Sequence, residues 1–212
     1  MTARPLWALG VALAAARCTE PMVPTRPGTY AFTGALGEIF HWPADHLPVR
    51  YYADPRGALR TYVSQAIQTW QQQLLYGEFS ADMVDDSTQA DVIVVWADSV
   101  PPDVPPDAGP PVKACGGMTQ ASTDTTGVRL DGPLHTDLTV LLGTVFTAGQ
   151  VAACLERTTL HEMGHTLGLL AHSPDSLDIM YVTPAVRSPS AADRWTVQTL
   201  YHTTPTILPA AR

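Results

Sequence analysis

Apolar positions along the chain fall into stretches of different period, and each period predicts an element. Leu47-Pro48-Val49-Arg50-Tyr51-Tyr52 is rich in β-forming residues and predicts a first strand. Asp54-Pro55 then offers an N-cap and a first-turn proline. Beyond it Leu59, Val63, Ala66, Trp70 and Leu74 recur at spacings of three and four, with Gln65, Gln68, Gln71 and Gln72 largely off that stripe. This predicts an amphipathic helix with one face on the core, ended by Gly77. Asp91 to Trp96 is a continuous apolar run after its aspartate, as expected of a strand covered on both faces. Six prolines between Pro101 and Pro111 make 98–113 an extended surface loop, a spacer or a partner-binding segment. Gly127 to Leu130 and Thr136 to Leu142 read as two more strands. Thr147-Ala148-Gly149-Gln150 has the spacing of a capping box and opens a second helix, and Ser190-Ala191-Ala192-Asp193 caps a last helix running through Tyr201.

The second helix carries the chemistry. Its stretch His161-Glu162-Met163-Gly164-His165-Thr166-Leu167-Gly168-Leu169-Leu170-Ala171-His172 holds three of the seven histidines. Residues four apart on a helix sit about 40° apart and roughly 6 Å along the axis, so His161 and His165 can aim at one small ion. Zinc takes histidine nitrogen at about 2.0–2.1 Å, and a catalytic zinc keeps three protein ligands and one open position. Glu162 can then act as general base. On a continuous helix His172 would lie about 10 Å beyond His165, so the helix has to break, and Gly168 can break it. Asp175 and Asp178 are the competing third ligands, and His172 as a plain surface residue is the bland alternative. A closed structural site would need a fourth ligand, and no thiol lies nearby. Met163, Leu167 and Leu170 fall opposite the metal-binding face.

This stretch resembles the zinc signature of the metzincins, His-Glu-x-x-His-x-x-Gly-x-x-His followed by a Met-turn. It departs in one place: Ala171 stands at the third-histidine position and His172 follows one residue late. The Gly-x-x-x-His-Ser spacing, with Ser173 after the histidine, is similar to bacterial matrixin-like proteins. Asp178-Ile179-Met180-Tyr181 resembles the matrixin Met-turn, with Val182 where proline is usual. In element order the resemblance spans roughly residues 36 to 201. It implies an α+β fold with a twisted, mostly parallel sheet, an active-site helix, a Met-turn and a C-terminal helix. It further implies a zinc endopeptidase with His161, His165 and His172 as ligands, Glu162 as base and Met180 as a packed floor. Tyr181 directly follows that methionine and belongs to turn packing. A catalytically idle, zinc-stabilised extracellular binding module of the same fold is the alternative. Calcium, which matrixins often carry, is left unassigned, because Asp124, Asp131 and Asp137 lack a regular alternation of oxygen ligands.

The length allows one ordinary domain, placed at 36–212, without repeats. A formal charge of −8 argues against nucleic acid as partner and is more often a matter of solubility, while the resemblance implies a protein or peptide substrate. Arg4 followed by the apolar run Leu6 to Ala16 marks residues 1–18 as a secretory signal, too short to span a bilayer. Cys18 after Ala15-Ala16-Arg17 resembles a bacterial lipoprotein site, although Arg17 occupies a small-residue position; ordinary cleavage nearby competes with lipidation. A lipid at Cys18 is the one membrane contact expected, for a protein secreted from or anchored on a bacterial cell. Residues 19–35, rich in Pro and Gly, read as a flexible lead-in. Three cysteines in an exported chain suggest a Cys115–Cys154 bridge with Cys18 left over, against Cys154 as a small buried hydrophobe. His41, His46, His135 and His202 lack ligand spacing and read as surface or capping residues.

Overall fold

A computed structural model describes residues 28–97, 115–140 and 148–212, and in it the β-forming run around Tyr51 is strand β1, Val49–Ala53. Val49, Tyr51 and Ala53 are buried and the residues between them half-buried, the period of two of a strand with one fully covered face. Asp54 does not cap the helix. Its Oδ1 accepts from the Arg56 amide (3.0 Å), an Asx turn, and α1, Leu59–Gln71, starts after Ala58 without a side-chain cap. Leu59, Val63, Ala66 and Trp70 are buried as their spacing predicts. Leu74 is buried too, but beyond the helix, and Gly77 (φ +74°) turns the chain only after the helix has ended.

Among the described residues four more strands follow: β2 (Ala81–Val84), β3 (Val92–Ala97), β4 (Cys115–Gln120) and β5 (Leu134–Val140). They join β1 in one sheet of order β2-β1-β3-β5-β4, parallel throughout except for β4 against β5. With α2 (Ala148–Thr166) and α3 (Ala191–Tyr201) the architecture is the expected α+β, with a mostly parallel sheet. On β3, Val92 and Val94 are buried but Ile93, Val95 and Trp96 are half-buried, so only one face is fully covered. Gly127 to Leu130 is not a strand. Arg129 and Leu130 make single bridges to Leu208 and Thr123, and Gly127 (φ +72°) closes a turn held by Asp124, whose Oδ1 accepts from the Thr126 amide. The loop 98–113, Thr147 of the α2 cap and residues 1–27 with Cys18 lie outside the described residues.

Residues 28–35, expected in the flexible lead-in, pack onto the domain instead. Tyr30 is buried, its amide donating to Thr196 Oγ1 (3.2 Å) and its hydroxyl to Asp193 Oδ1 (2.7 Å). Two of the histidines expected at the surface are buried as well. His41 Nε2 meets the Thr203 carbonyl at 2.9 Å, and His46 Nε2 meets Asp91 Oδ1 at 3.2 Å.

Helix α2 is fixed to this frame by indole groups. Trp70 of α1 donates to the Leu160 carbonyl (2.8 Å), and Trp42 donates to the Thr166 carbonyl (2.8 Å), one of the orphan acceptors at the helix end. Tyr51 of β1 meets Thr166 Oγ1 at 2.8 Å, so sheet, N-terminal segment and α1 all register the same helix.

Asp91 ties the near end of the sheet. Its buried carboxylate accepts from the Arg50 amide and guanidinium, from Arg212 and from His46. Burial alone would raise its pKa, but these hydrogen bonds outweigh it and hold the carboxyl well below the usual carboxylate range. A carboxyl with a depressed folded-state pKa contributes stability above its unfolded pKa, about 3.9, and loses it as pH falls from there towards the folded value. Asp91→Asn is expected to lower the unfolding free energy by roughly 2–3 kcal/mol at pH 7. In denaturant titrations the gap between parent and variant should then shrink below about pH 4. A gap independent of pH would contradict this role.

Candidate metal centre

The end of α2 is built to turn a carbonyl back onto a histidine. The Gly168 amide donates to the His165 carbonyl (3.0 Å) and the Leu169 amide to the Gly164 carbonyl (3.2 Å), the paired hydrogen bonds of a Schellman stop. Gly168 has φ +107°, and a Cβ there would sit 1.8 Å from the Phe40 carbonyl oxygen, so the position requires glycine. The reversed chain brings the Leu169 carbonyl to His165 Nδ1, at 2.6 Å. The Ile179 carbonyl meets His161 Nδ1 in the same way, at 2.8 Å.

A ring nitrogen facing a carbonyl carries the proton, so the other nitrogen of each ring carries a bare lone pair. These two Nε2 atoms stand 3.2 Å apart. Two acceptors do not bond each other at that distance, whereas a cation between them satisfies both. Imidazole nitrogens about 2.0–2.1 Å from a tetrahedral zinc lie about 3.3 Å from each other, so the spacing fits zinc. His172 joins the pair. Its ring is stacked on His161 at 5.2 Å between centroids and lies edge-on to His165 at 5.1 Å, and one ligand atom from each of the three lies within 4.8 Å of the others. Burial pushes His161 down to about 4 and His165 down to about 3, and it lowers His172 too, which leaves neutral rings at neutral pH.

The competing aspartates are occupied elsewhere. Asp178 is buried and accepts from the hydroxyls of Ser173 and Ser190, while exposed Asp175 accepts from the Leu177 amide at 2.9 Å. The extra residue before His172 is absorbed in a stretch held at both sides. The Leu170 amide donates to the Phe32 carbonyl (3.0 Å) and the Ser173 amide to the Met180 carbonyl (2.8 Å). Leu170, expected on the buried face of α2, is 37 % exposed and lines the cleft, because the helix has already stopped. Among the described residues, Asp124, Asp131 and Asp137 are not gathered into a metal-binding group.

Glu162 is 3 % exposed, and Thr119 Oγ1 of β4 donates to its Oε2 at 2.8 Å. Burial raises its carboxyl to about 7 against the pull of the Thr119 hydrogen bonds. A Cβ on Gly117 would come within 2.4 Å of Glu162 Cγ, so β4 approaches this side chain only because residue 117 is glycine. Neither Gly117 nor Thr119 is singled out by the sequence reading. The signal available is a glycine pair inside a run without turn residues, a mark of close approach to a strand. Gly164 is constrained in the same manner, since a Cβ there would lie 2.3 Å from Met180 Sδ and 2.8 Å from Trp70 Cζ2. Met180, wholly buried, therefore packs directly against the turn of α2 that joins the two histidines.

Asp193, expected only as part of a cap, does more. It forms the capping box with Ser190, and its carboxylate also accepts from the amides of Ile179 (2.8 Å) and Met180 (3.3 Å) and from the Tyr30 hydroxyl. The carbonyl that orients His161 is thus held by α3. Rings and carboxylate together open into a cleft of about 1080 Å³.

Residues 49–202, from the start of β1 to just past α3, match the profile of the Matrixin peptidase family. The chain belongs to the matrixin family. No curated protein matches it. Matrixins are zinc metallopeptidases that act on proteins or peptides, in keeping with the three-histidine group of this one. In this matrixin Cys154 of α2 is disulfide-bonded, which replaces the buried free thiol as a reading of that residue.

Metal content tests the centre directly. Elemental analysis of the full chain should find about one zinc per molecule, lost in His161→Ala, His165→Ala and His172→Ala and kept in Asp175→Ala. Zinc retained in His172→Ala but lost in Asp175→Ala would transfer the third position to the aspartate.

Proposed function

We propose that this matrixin is a zinc endopeptidase that hydrolyses peptide bonds of extracellular proteins, with His161, His165 and His172 as ligands and Glu162 as general base. The observation that carries the reading is the pair of bare Nε2 atoms held 3.2 Å apart beside a buried carboxylate in an open cleft. When bound there, zinc supplies Lewis acidity towards a peptide carbonyl and towards water. The chain's own residues do the rest. Thr119 holds one oxygen of Glu162, which leaves Oε1 to take a proton from the attacking water and pass it to the leaving amine. A carboxyl raised towards neutrality can both accept and return that proton. Met180 serves as the floor of the Met-turn and takes no part in the chemistry.

Glu162→Gln keeps the size of the side chain and removes its basicity. Zinc content should be unchanged while casein hydrolysis falls by at least about 10²-fold. Turnover of the variant at the parent rate would overturn the mechanism, and a zinc-loaded parent that leaves casein intact would favour the idle binding module.

The apolar run at Leu6 to Ala16 and the disulfide at Cys154 support export, with a free or Cys18-anchored product. We infer that the partner of Cys154 is Cys115, since β4 packs on α2. Peptide mapping without reduction should recover the Cys115–Cys154 pair, and reduction should cost about 2–4 kcal/mol of stability. Recovery of Cys154 joined to Cys18 would refute the pairing.

A further inference from the structure

Arg157 lies one helical turn before His161 on α2, and its side chain lines the same cleft as the three histidines and Glu162. Among the described residues lining that cleft it is the only Arg or Lys. The side chain is half-buried, and among the described residues no hydrogen bond or ion pair engages it. Neither of the two carboxylates among the described lining residues pairs with it: Glu162 accepts from Thr119, and Glu38 accepts from the Leu36 amide at 2.9 Å. The neighbouring Glu156 stands 3.9 Å from Arg187. In a chain with a formal charge of −8, the described part of the cleft thus contains one guanidinium without a counter-ion among the described residues.

A half-desolvated cation in a concave site is stabilised by any anion that can reach it, and the planar guanidinium suits a carboxylate in bidentate contact. Four residues of helix separate Arg157 from the first ring, about 6 Å along the axis, which is within one or two residues of an extended peptide crossing the metal centre. We propose that Arg157 is a specificity-determining residue that selects peptides with an Asp or Glu side chain close to the bond to be cleaved. This rests on the peptidase reading for the location of the bond, but the recognition itself is a matter of binding.

Two measurements separate the inference from that reading. The first is binding to zinc-loaded Glu162→Gln protein of a positional-scanning set of short peptides, with Asp or Glu exchanged for Asn or Gln at each position. One position should favour the acid by roughly 10-fold or more, and Arg157→Gln in the same background should reduce that ratio to about one. The second is hydrolysis of the same set by the otherwise unaltered enzyme, where the acid-to-amide ratio of kcat/KM should peak at one position and collapse with Arg157→Gln. Arg157→Glu should reverse it in favour of Lys. Cleavage without an acid preference, or a preference that survives Arg157→Gln, overturns this inference and leaves the peptidase reading intact. Arg157-dependent binding of acidic peptides with no hydrolysis by the parent supports it and overturns the peptidase reading.

Discussion

The candidate metal centre depends on a lone-pair conflict that the fold creates and does not resolve by itself. Each helix histidine has its Nδ1 proton committed to a backbone carbonyl, so the two Nε2 atoms meet as acceptors. Neither carbonyl belongs to the continuous part of the helix. One is reversed by the left-handed turn at Gly168, and the other is held in place by Asp193 at the start of α3. Ring orientation therefore comes from chain reversal and tertiary packing, while the helix supplies only the four-residue spacing.

This division explains what could be read from the residues alone. The spacing of His161 and His165, the need for a break at Gly168, the buried stripe of α1 and the capping box of α3 are local regularities, and the structure has each of them. Short edge strands carry no such regularity. Ala81–Val84 lacks alternation, and Cys115–Gln120 contains two glycines that count against a strand in isolation. Their pairing comes from the neighbouring strands, and with β4 come Thr119 and Gly117, the two residues that set the position of Glu162.

The aspartates illustrate the same limit. Asp54 looks like a helix cap but closes a turn, because the chain needs further residues to swing from the sheet onto α1. Asp193 looks like a helix cap and is one, yet its carboxylate also receives groups from distant parts of the chain. For Asp193 local pattern identifies the first bond the side chain makes. The remaining ones depend on which segments the fold brings within about 3 Å.

The sharing of Asp193 has a consequence for how this protein tolerates change. Tyr30, the Ile179–Met180 turn and the first turn of α3 all bond to the same two oxygen atoms, and the turn passes the constraint to His161. Substitutions at these places are not independent, since each loosens a bond whose strength depends on the others. A change in the N-terminal segment that is harmless with an intact α3 cap becomes costly once the cap is weakened, and the reverse holds equally. Substitutions in segments more than 160 positions apart are therefore expected to couple, through the turn that orients His161.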